Sequence, residues 1–226
     1  MPPTRPFVVA IDGPAASGKG TLARRLAERF GLAHLDTGKL YRATAFLVLD
    51  AGADPADPAA ALAAARRVDT ALLADTRLLA ENVAGAASVV AAIPEVRAAL
   101  LAFQREFAAN PPSPSRGAVL DGRDIGTIVC PDAAVKLFIT ASPEARAERR
   151  VRELRGLGGA VIYGDVLQDM KERDARDSSR RVAPLAAAPD AETIDTTRLD
   201  ADQVFEQASE IIARALSAQG RIAEGG

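Results

Sequence analysis

Residues 13–21 read GPAASGKGT and follow directly on the apolar run FVVAID. A lysine between two glycines, then a hydroxyl, is chemistry for a polyanion. Unpaired N–H groups at a helix N-terminus, with the positive end of the helix dipole behind them, attract an anion if no side chain blocks the approach. Gly13, Gly18 and Gly20 keep that approach clear, and Pro14, Ala15, Ala16 and Ser17 fill the loop between them. Lys19 brings a full charge for the β- and γ-phosphates of a nucleotide, and Thr21 a hydroxyl for a magnesium shell. The pattern G-x-x-x-x-G-K-[ST] is met except that Gly20 stands where Ser or Thr is expected and Thr21 comes one later. The loop alone leaves hydrolase, switch and kinase open. D-x-x-G and N-K-x-D, which a guanine-nucleotide switch would add, do not occur in the sequence, so phosphoryl transfer to a second substrate is preferred.

Transfer of a phosphoryl group needs cationic clamps on its equatorial oxygens and in-line placement. Arginines stand in three suitable stretches: LDTGKLYR ends in Arg42, VLDGRDIGT holds Arg123 between Asp121 and Asp124, and KERDARDSSRR holds Arg173, Arg176 and Arg180. Taken singly, each could be a turn or a solvated helix face. With a phosphate loop in the same chain they read as one site. His34 and Cys130, one of each, have no partners at ligand spacing and are expected to be structural.

The elements that must position these groups can be read from periodicity. Phe7 to Ile11 is a short β-branched run that suits a buried strand, and Leu22, Leu26 and Phe30 recur at helical spacing until Gly31 offers a C-cap. AHLD predicts a second strand feeding a helix that opens near Thr37. PAAALAAARRV predicts an alanine-rich helix, Asp69 to Leu79 is ambiguous, and helical spacing resumes at about Glu81, with Pro94 as the first residue of a further helix. PPSPSRG is a linker. AVLDG and VKLFITA predict strands, the second followed by Ser142 as N-cap, Pro143 and Glu144. Glycines break the helical stretch at 155–164, and TIDTT and a final helix close the chain. Asp121 and Arg123 follow a strand and so belong at the carboxyl edge of the sheet, the ligand edge in open α/β folds. Alternation of this kind predicts an α/β fold, a five-stranded parallel sheet flanked by helices.

Composition narrows the setting. The 226 residues suit one domain with a small insertion, and 48% apolar against 26% charged residues is an ordinary globular balance. Aromatics are only 4% and Trp is absent, so close alanine-mediated helix contacts are expected. The net charge of −2 excludes a broadly basic nucleic-acid binder and confines any anion site to a local cluster. Cys130 alone forms no internal disulfide, no signal-peptide pattern opens the chain, and no apolar stretch is long enough for a bilayer. The expectations are a cytoplasmic location, no membrane or nucleic-acid partner, and a monomer.

The pieces IDGPAASGKGT, LDTGKLYR, ASVVAAIPEVR, DGRDIGTIVCPDA and KERDARDSSRRVAPL, spread from residue 11 to 185, resemble the bacterial cytidylate kinases. LDTG with a following YR, and DGRD-x-GT, distinguish that family from adenylate kinases. The resemblance implies a P-loop kinase that moves the ATP γ-phosphoryl group to CMP or dCMP with magnesium. It implies one kinase domain with core segments 6–40, 116–153 and 166–218, an acceptor-binding insertion of about 41–110 and a lid of about 154–165. Lys19, Arg42, Arg123 and Arg180 would be catalytic. Residues 13 to 21 with Arg149 and Arg150 would hold ATP, with Thr21 toward the metal. Asp36, Thr37, Arg42, Ser88, Arg97, Asp121, Arg123, Asp124, Arg173, Asp177 and Arg180 would line the acceptor site. Within it Ser88, Arg97 and Asp124 would face the cytosine, and Asp177 with Arg173 the sugar hydroxyls. Cytosine offers an amine beside two acceptors, so a carboxylate and a guanidinium suit it and uracil suits them less. Many family members carry a strand-rich insertion ahead of the Ser88 segment; here about twenty residues with few β-branched side chains connect it, so a reduced, helical subdomain is expected.

Overall fold

The structure is a computed structural model that describes residues 5–156, 158–218 and 220. Its centre is a five-stranded sheet, parallel throughout, in the order β2-β3-β1-β4-β5. The strands are β1 (Phe7–Asp12), β2 (Ala33–Asp36), β3 (Gly117–Gly122), β4 (Val135–Thr140) and β5 (Glu192–Asp195). β1 runs down the middle with Asp12 level with Gly122 on one side and Phe138 on the other. A strand covered on both faces has no use for polar alternation, and the buried FVVAI run is what such a position selects.

Helix α1 (Lys19–Phe30) and helix α8 (Ala201–Ala218) cover one face of the sheet. Their apolar stripes, with Leu22, Leu26, Val204 and Ile212, close a core on Val9, Ile11, Leu137 and Ile139. On the other face Ala10, Leu35, Ala118 and Leu120 pack against α5 (Pro94–Ala109) and a wide helical turn, Ile125–Val129. Gly31 ends α1 in the left-handed conformation, φ 63°, and Ser142 caps α6 (Pro143–Gly156), accepting from the N–H of Ala145 at 3.2 Å. Pro94 is the first residue of α5. No single described helix is long and apolar enough to cross a membrane.

Between β2 and β3 the described chain is helical throughout: α2 (Thr37–Asp50), α3 (Pro58–Ala65), two short 3₁₀ turns at Leu72–Ala74 and Thr76–Leu79, α4 (Glu81–Val90) and α5. The ambiguous stretch after Asp69 becomes those two turns, each opened by an aspartate that accepts a main-chain N–H: Asp69 from Leu72 and Asp75 from Arg77. A separate core joins α2 to α5, and six of its thirteen buried members are alanines, among them Ala45, Ala61, Ala64, Ala86 and Ala87. Methyl side chains let these helices approach closely without long aliphatic groups. α6 and α7 (Tyr163–Ser178) form a hairpin around Ala147, Val151, Leu154, Val166 and Met170, and Ala16 of the phosphate loop packs against that cluster.

The phosphate loop owes its first glycine to the sheet. A Cβ on Gly13 would stand 2.0 Å from the Ile139 carbonyl oxygen of β4, at φ +151°. Gly13 therefore allows β1 and β4 to close, whereas open space surrounds the Cβ position of Gly18, whose φ of +91° is the left-handed turn into α1. Gly13→Ala should cost about 3 kcal/mol or more of folding stability, since backbone rather than a flexible side chain must yield. Gly20→Ala, whose new methyl would meet only Asp121 Oδ2 at 3.7 Å, should stay within about 1 kcal/mol of the parent in stability. Chemical denaturation of both variants checks the contrast.

Candidate active site

The carboxyl ends of β1, β2 and β3 open onto one cleft of about 440 Å³. Lys19, Asp36, Thr37, Arg42, Ser88, Arg97, Asp121, Arg123, Asp124, Arg150, Arg173, Asp177 and Arg180 all line it, with Ala15, Ala16 and Gly20. Every acceptor-site residue expected from the sequence is thus in one place. Parallel strands end on the same edge of a sheet, which is why segments far apart in the chain converge here.

Lys19 leaves the first turn of α1 and donates to the Pro14 carbonyl oxygen at 3.1 Å. Burial and, next, the Arg123 guanidinium bring its ammonium group down to about 7, against the pull of Asp121 and Asp36. Asp36 caps α2, accepting from the Lys39 N–H at 3.3 Å. Burial and the neighbouring Asp121 raise its carboxyl. Thr37 donates to the Asp121 carbonyl oxygen at 2.8 Å. His34 is hydrogen-bonded through Nε2 to Asp121 Oδ1 at 2.8 Å, so the single histidine of the chain holds a residue of the cleft.

Asp177 organises the arginines. Its Oδ2 accepts from Arg123 Nε at 2.9 Å, and its Oδ1 accepts from Arg180 Nη2 and, at 3.4 Å, from Ser88 Oγ. Burial acts to raise its carboxyl, but the guanidinium groups of Arg123, Arg180 and Arg173 outweigh that and hold it below the usual range. Arg173 Nε has no acceptor, as is also true of Arg180 Nε. Burial first, and then Arg123, lower Arg173 to about 10. Buried donors without acceptors beside mutually repelling cations make a site for an anion.

Across the cleft Arg97 pairs with Asp124 through Nη2, donates from Nη1 to the Ala91 carbonyl oxygen at 3.2 Å, and lies over the Tyr41 ring at 5.3 Å. Tyr41, which the sequence did not single out, is the floor of this pair. Arg42 donates to the Leu78 carbonyl oxygen at 2.9 Å. Arg150 bridges to Glu81 of α4 at 2.6 Å and to Glu153 at 2.9 Å. Arg149 departs from expectation: it lies outside the cleft and donates to Thr196, at 2.8 Å to Oγ1 and 2.5 Å to the carbonyl oxygen. Adjacent helix positions point about 100° apart, so two neighbouring arginines cannot share one target. Arg146, on the same helix, is buried, donating to the Ala141 and Ala15 carbonyl oxygens at 3.0 and 3.3 Å and pairing with Asp174 at 2.6 Å.

Gly13, Pro14, Ser17, Gly18 and Thr21 do not line the cleft; the first three are buried beneath the loop, and Gly18 and Thr21 are exposed beside it. Among the described residues no group of His, Cys, Asp and Glu side chains could hold a metal ion unaided. Hydroxyl and carboxylate oxygens near the loop are nevertheless the hard donors that a magnesium ion arriving on nucleotide phosphates accepts. Cys130 is half-buried and its thiol is pushed up to about 11, chiefly by burial, which leaves it inert.

A parallel sheet with a glycine-rich loop on its central strand, and guanidinium groups gathered beyond the neighbouring strand, defines a P-loop phosphotransferase. The comparisons narrow the class. The family model for cytidylate kinase matches residues 9–214. The cytidylate kinase of Rhodospirillum rubrum is 63% identical over 208 residues, covering 92% of this chain and 97% of its own. That of Paramagnetospirillum magneticum is 60% identical over 205 residues, covering 91% and 97%. A solved gluconokinase from Sinorhizobium meliloti superposes with a TM-score of 0.50 at 14% identity, covering 95% of this chain and 96% of its own, a likeness of fold alone. The chain belongs to the cytidylate kinase family.

Removing the Asp177 charge should destabilise the protein by about 3 kcal/mol, because three guanidinium groups would lose their common carboxylate. A carboxyl held low in the folded state adds stability that is present above its unfolded value of 3.8 and lost as pH falls. The stability gap between parent and Asp177→Asn should therefore narrow from about pH 6 to about pH 3, as measured by denaturant titration.

Proposed function

We propose that this protein transfers the γ-phosphoryl group of ATP to CMP, and also to dCMP, giving ADP and CDP or dCDP. The observation that carries the reading is the convergence of Lys19, Arg42, Arg123, Arg173 and Arg180 with the Arg97–Asp124 pair in one cleft, in a chain of the cytidylate kinase family.

Lys19 and the main-chain N–H groups of residues 13–21 bind the ATP phosphates. Thr21 would hold the magnesium ion that comes with them, and that ion supplies charge neutralisation between the phosphates. Arg42, Arg123 and Arg180 hold the acceptor phosphate, whose oxygens replace the Leu78 carbonyl on Arg42 and satisfy the free donors of Arg173 and Arg180. Arg97 and Asp124 read the cytosine with Ser88: the carboxylate accepts from the exocyclic amine and the guanidinium donates to the ring acceptors. Their mutual ion pair in the free protein keeps both groups poised without leaving a bare buried charge. Asp177 orients Arg123 and Arg180 and meets the sugar. Arg150, released from Glu81, closes over ATP as the segment 154–165 moves and excludes water. Acceptor contacts come from the helices of residues 41–110. The protein acts as a monomer on small molecules, in the cytoplasm, without nucleic acid or membrane.

Three measurements test the reading. Purified protein given ATP, magnesium and a panel of CMP, dCMP, UMP and AMP should release ADP fastest with CMP or dCMP; equal or faster turnover of AMP overturns it. Lys19→Ala should lower kcat by about 10²-fold or more with the fold retained by circular dichroism, since the charge acts on the transition state. Asp124→Asn should reduce the preference for CMP over UMP by tenfold or more, about 1 to 3 kcal/mol, because the amide no longer mismatches uracil.

A further inference from the structure

Asp12 is a buried carboxylate that does not line the cleft. It is the last residue of β1, 3% exposed, and Gly13 of the phosphate loop comes next in the chain. Its carboxylate reaches beyond the end of the neighbouring β3. The N–H of Ile125 donates to Oδ1 at 2.8 Å and the N–H of Gly126 to Oδ2 at 2.7 Å. These two amides open the turn that directly follows Arg123 and Asp124. The turn closes back on the same segment, the N–H groups of Ile128 and Val129 donating to the Asp124 carbonyl oxygen at 2.9 and 3.1 Å.

Ladder pairing between β1 and β3 ends at Asp12 and Gly122. Arg123 and Asp124 lie past that point, so the strands themselves no longer fix them against the phosphate loop. The Asp12 carboxylate restores the link, with both oxygens used. Asparagine would keep one acceptor and turn an N–H₂ group against the other amide. Burial raises the Asp12 carboxyl to about 6, with the two amide bonds and Lys19 opposing and the Asp124 charge adding. An acid whose folded value lies above its unfolded one gains stability as pH falls between the two, and at neutral pH its ionised form weakens the fold.

We propose that Asp12 is a positioning residue for phosphoryl transfer, holding the Ile125 and Gly126 amides so that Arg123 and Asp124, and the acceptor nucleotide on them, stay at a set distance from the phosphate loop. The proposal rests on the cleft being the ATP and CMP site. In-line transfer is sensitive to displacements of the order of 1 Å, and donor and acceptor are carried here on different strands, β1 and β3. Asp12 belongs to one and grips the other.

The test compares the full-length parent with Asp12→Asn in three readouts: melting temperature at about pH 8, CMP binding by calorimetry without ATP, and steady-state kinetics. The expected result, with the melting curve showing the variant folded at the assay temperature, is kcat with CMP reduced by about tenfold or more, CMP affinity reduced several-fold with the preference over UMP eroded, and KM for ATP within about twofold of the parent. Kinetics and CMP affinity both within about twofold of the parent overturn the proposal. Failure to fold, or a loss of ATP affinity equal to that of CMP, overturns it too, since the carboxylate would then serve general stability rather than the acceptor side. If the parent itself neither binds CMP nor forms CDP, the reading of the cleft is what fails.

Discussion

Seven arginines and a lysine line one cleft, and everything else about this fold has to accommodate that repulsion. Unit charges a few ångströms apart in a partly dry cavity repel by several kcal/mol per pair unless carboxylates intervene. Asp177 takes Arg123 and Arg180, Asp124 takes Arg97, and Glu81 with Glu153 takes Arg150. Arg42 spends itself on a main-chain carbonyl, and Arg173 keeps an unpartnered Nε. A phosphate monoester entering this set replaces weak partners with strong ones, so the binding energy comes from charges already desolvated and aimed.

The same constraint shapes the links between elements. Arg146 is buried beneath the phosphate loop, where it joins the end of β4 through Ala141, the loop through Ala15, and α7 through Asp174. Ala16 packs on the apolar seam of α6 and α7. Movement of that helical hairpin is therefore felt by the loop through both a guanidinium and a methyl group. On the acceptor side, Ser88 of α4 and Asp177 of α7 meet over the cleft at 3.4 Å, which ties the alanine-rich helices to the hairpin through the residue that neutralises the arginines.

The short helical connection ahead of Ser88 has a physical logic of its own. With few β-branched residues and many alanines, the segment after α3 has little with which to pack a sheet edge, and its backbone groups are satisfied within helical turns and by aspartate caps. Its small side chains still close a continuous core with α2 and α5, enough to hold Arg42, Tyr41, Ser88 and Arg97 toward the cleft.

Local chemistry was legible in the chain itself. The strand, loop and helix around GPAASGKGT, the caps at Gly31 and Ser142, and Pro94 at a helix start all follow from backbone preferences within a few residues. Asp121 and Arg123 at the ligand edge followed from the strand that precedes them, whereas the gathering of Arg42, Asp177 and Arg180 with them was expected from the resemblance to the cytidylate kinases. What required the folded molecule was partnership across distance. That Gly13 answers to the Ile139 carbonyl, that Arg149 turns to Thr196 while Arg150 turns to Glu81, that Asp177 accepts from Arg123, and that Asp12 grips Ile125 and Gly126 are all contacts between residues 47 to 126 positions apart or set by the roll of a helix. Residue type and spacing state which charges a chain owns; only the packed arrangement decides which of them neutralise one another and which remain for a ligand.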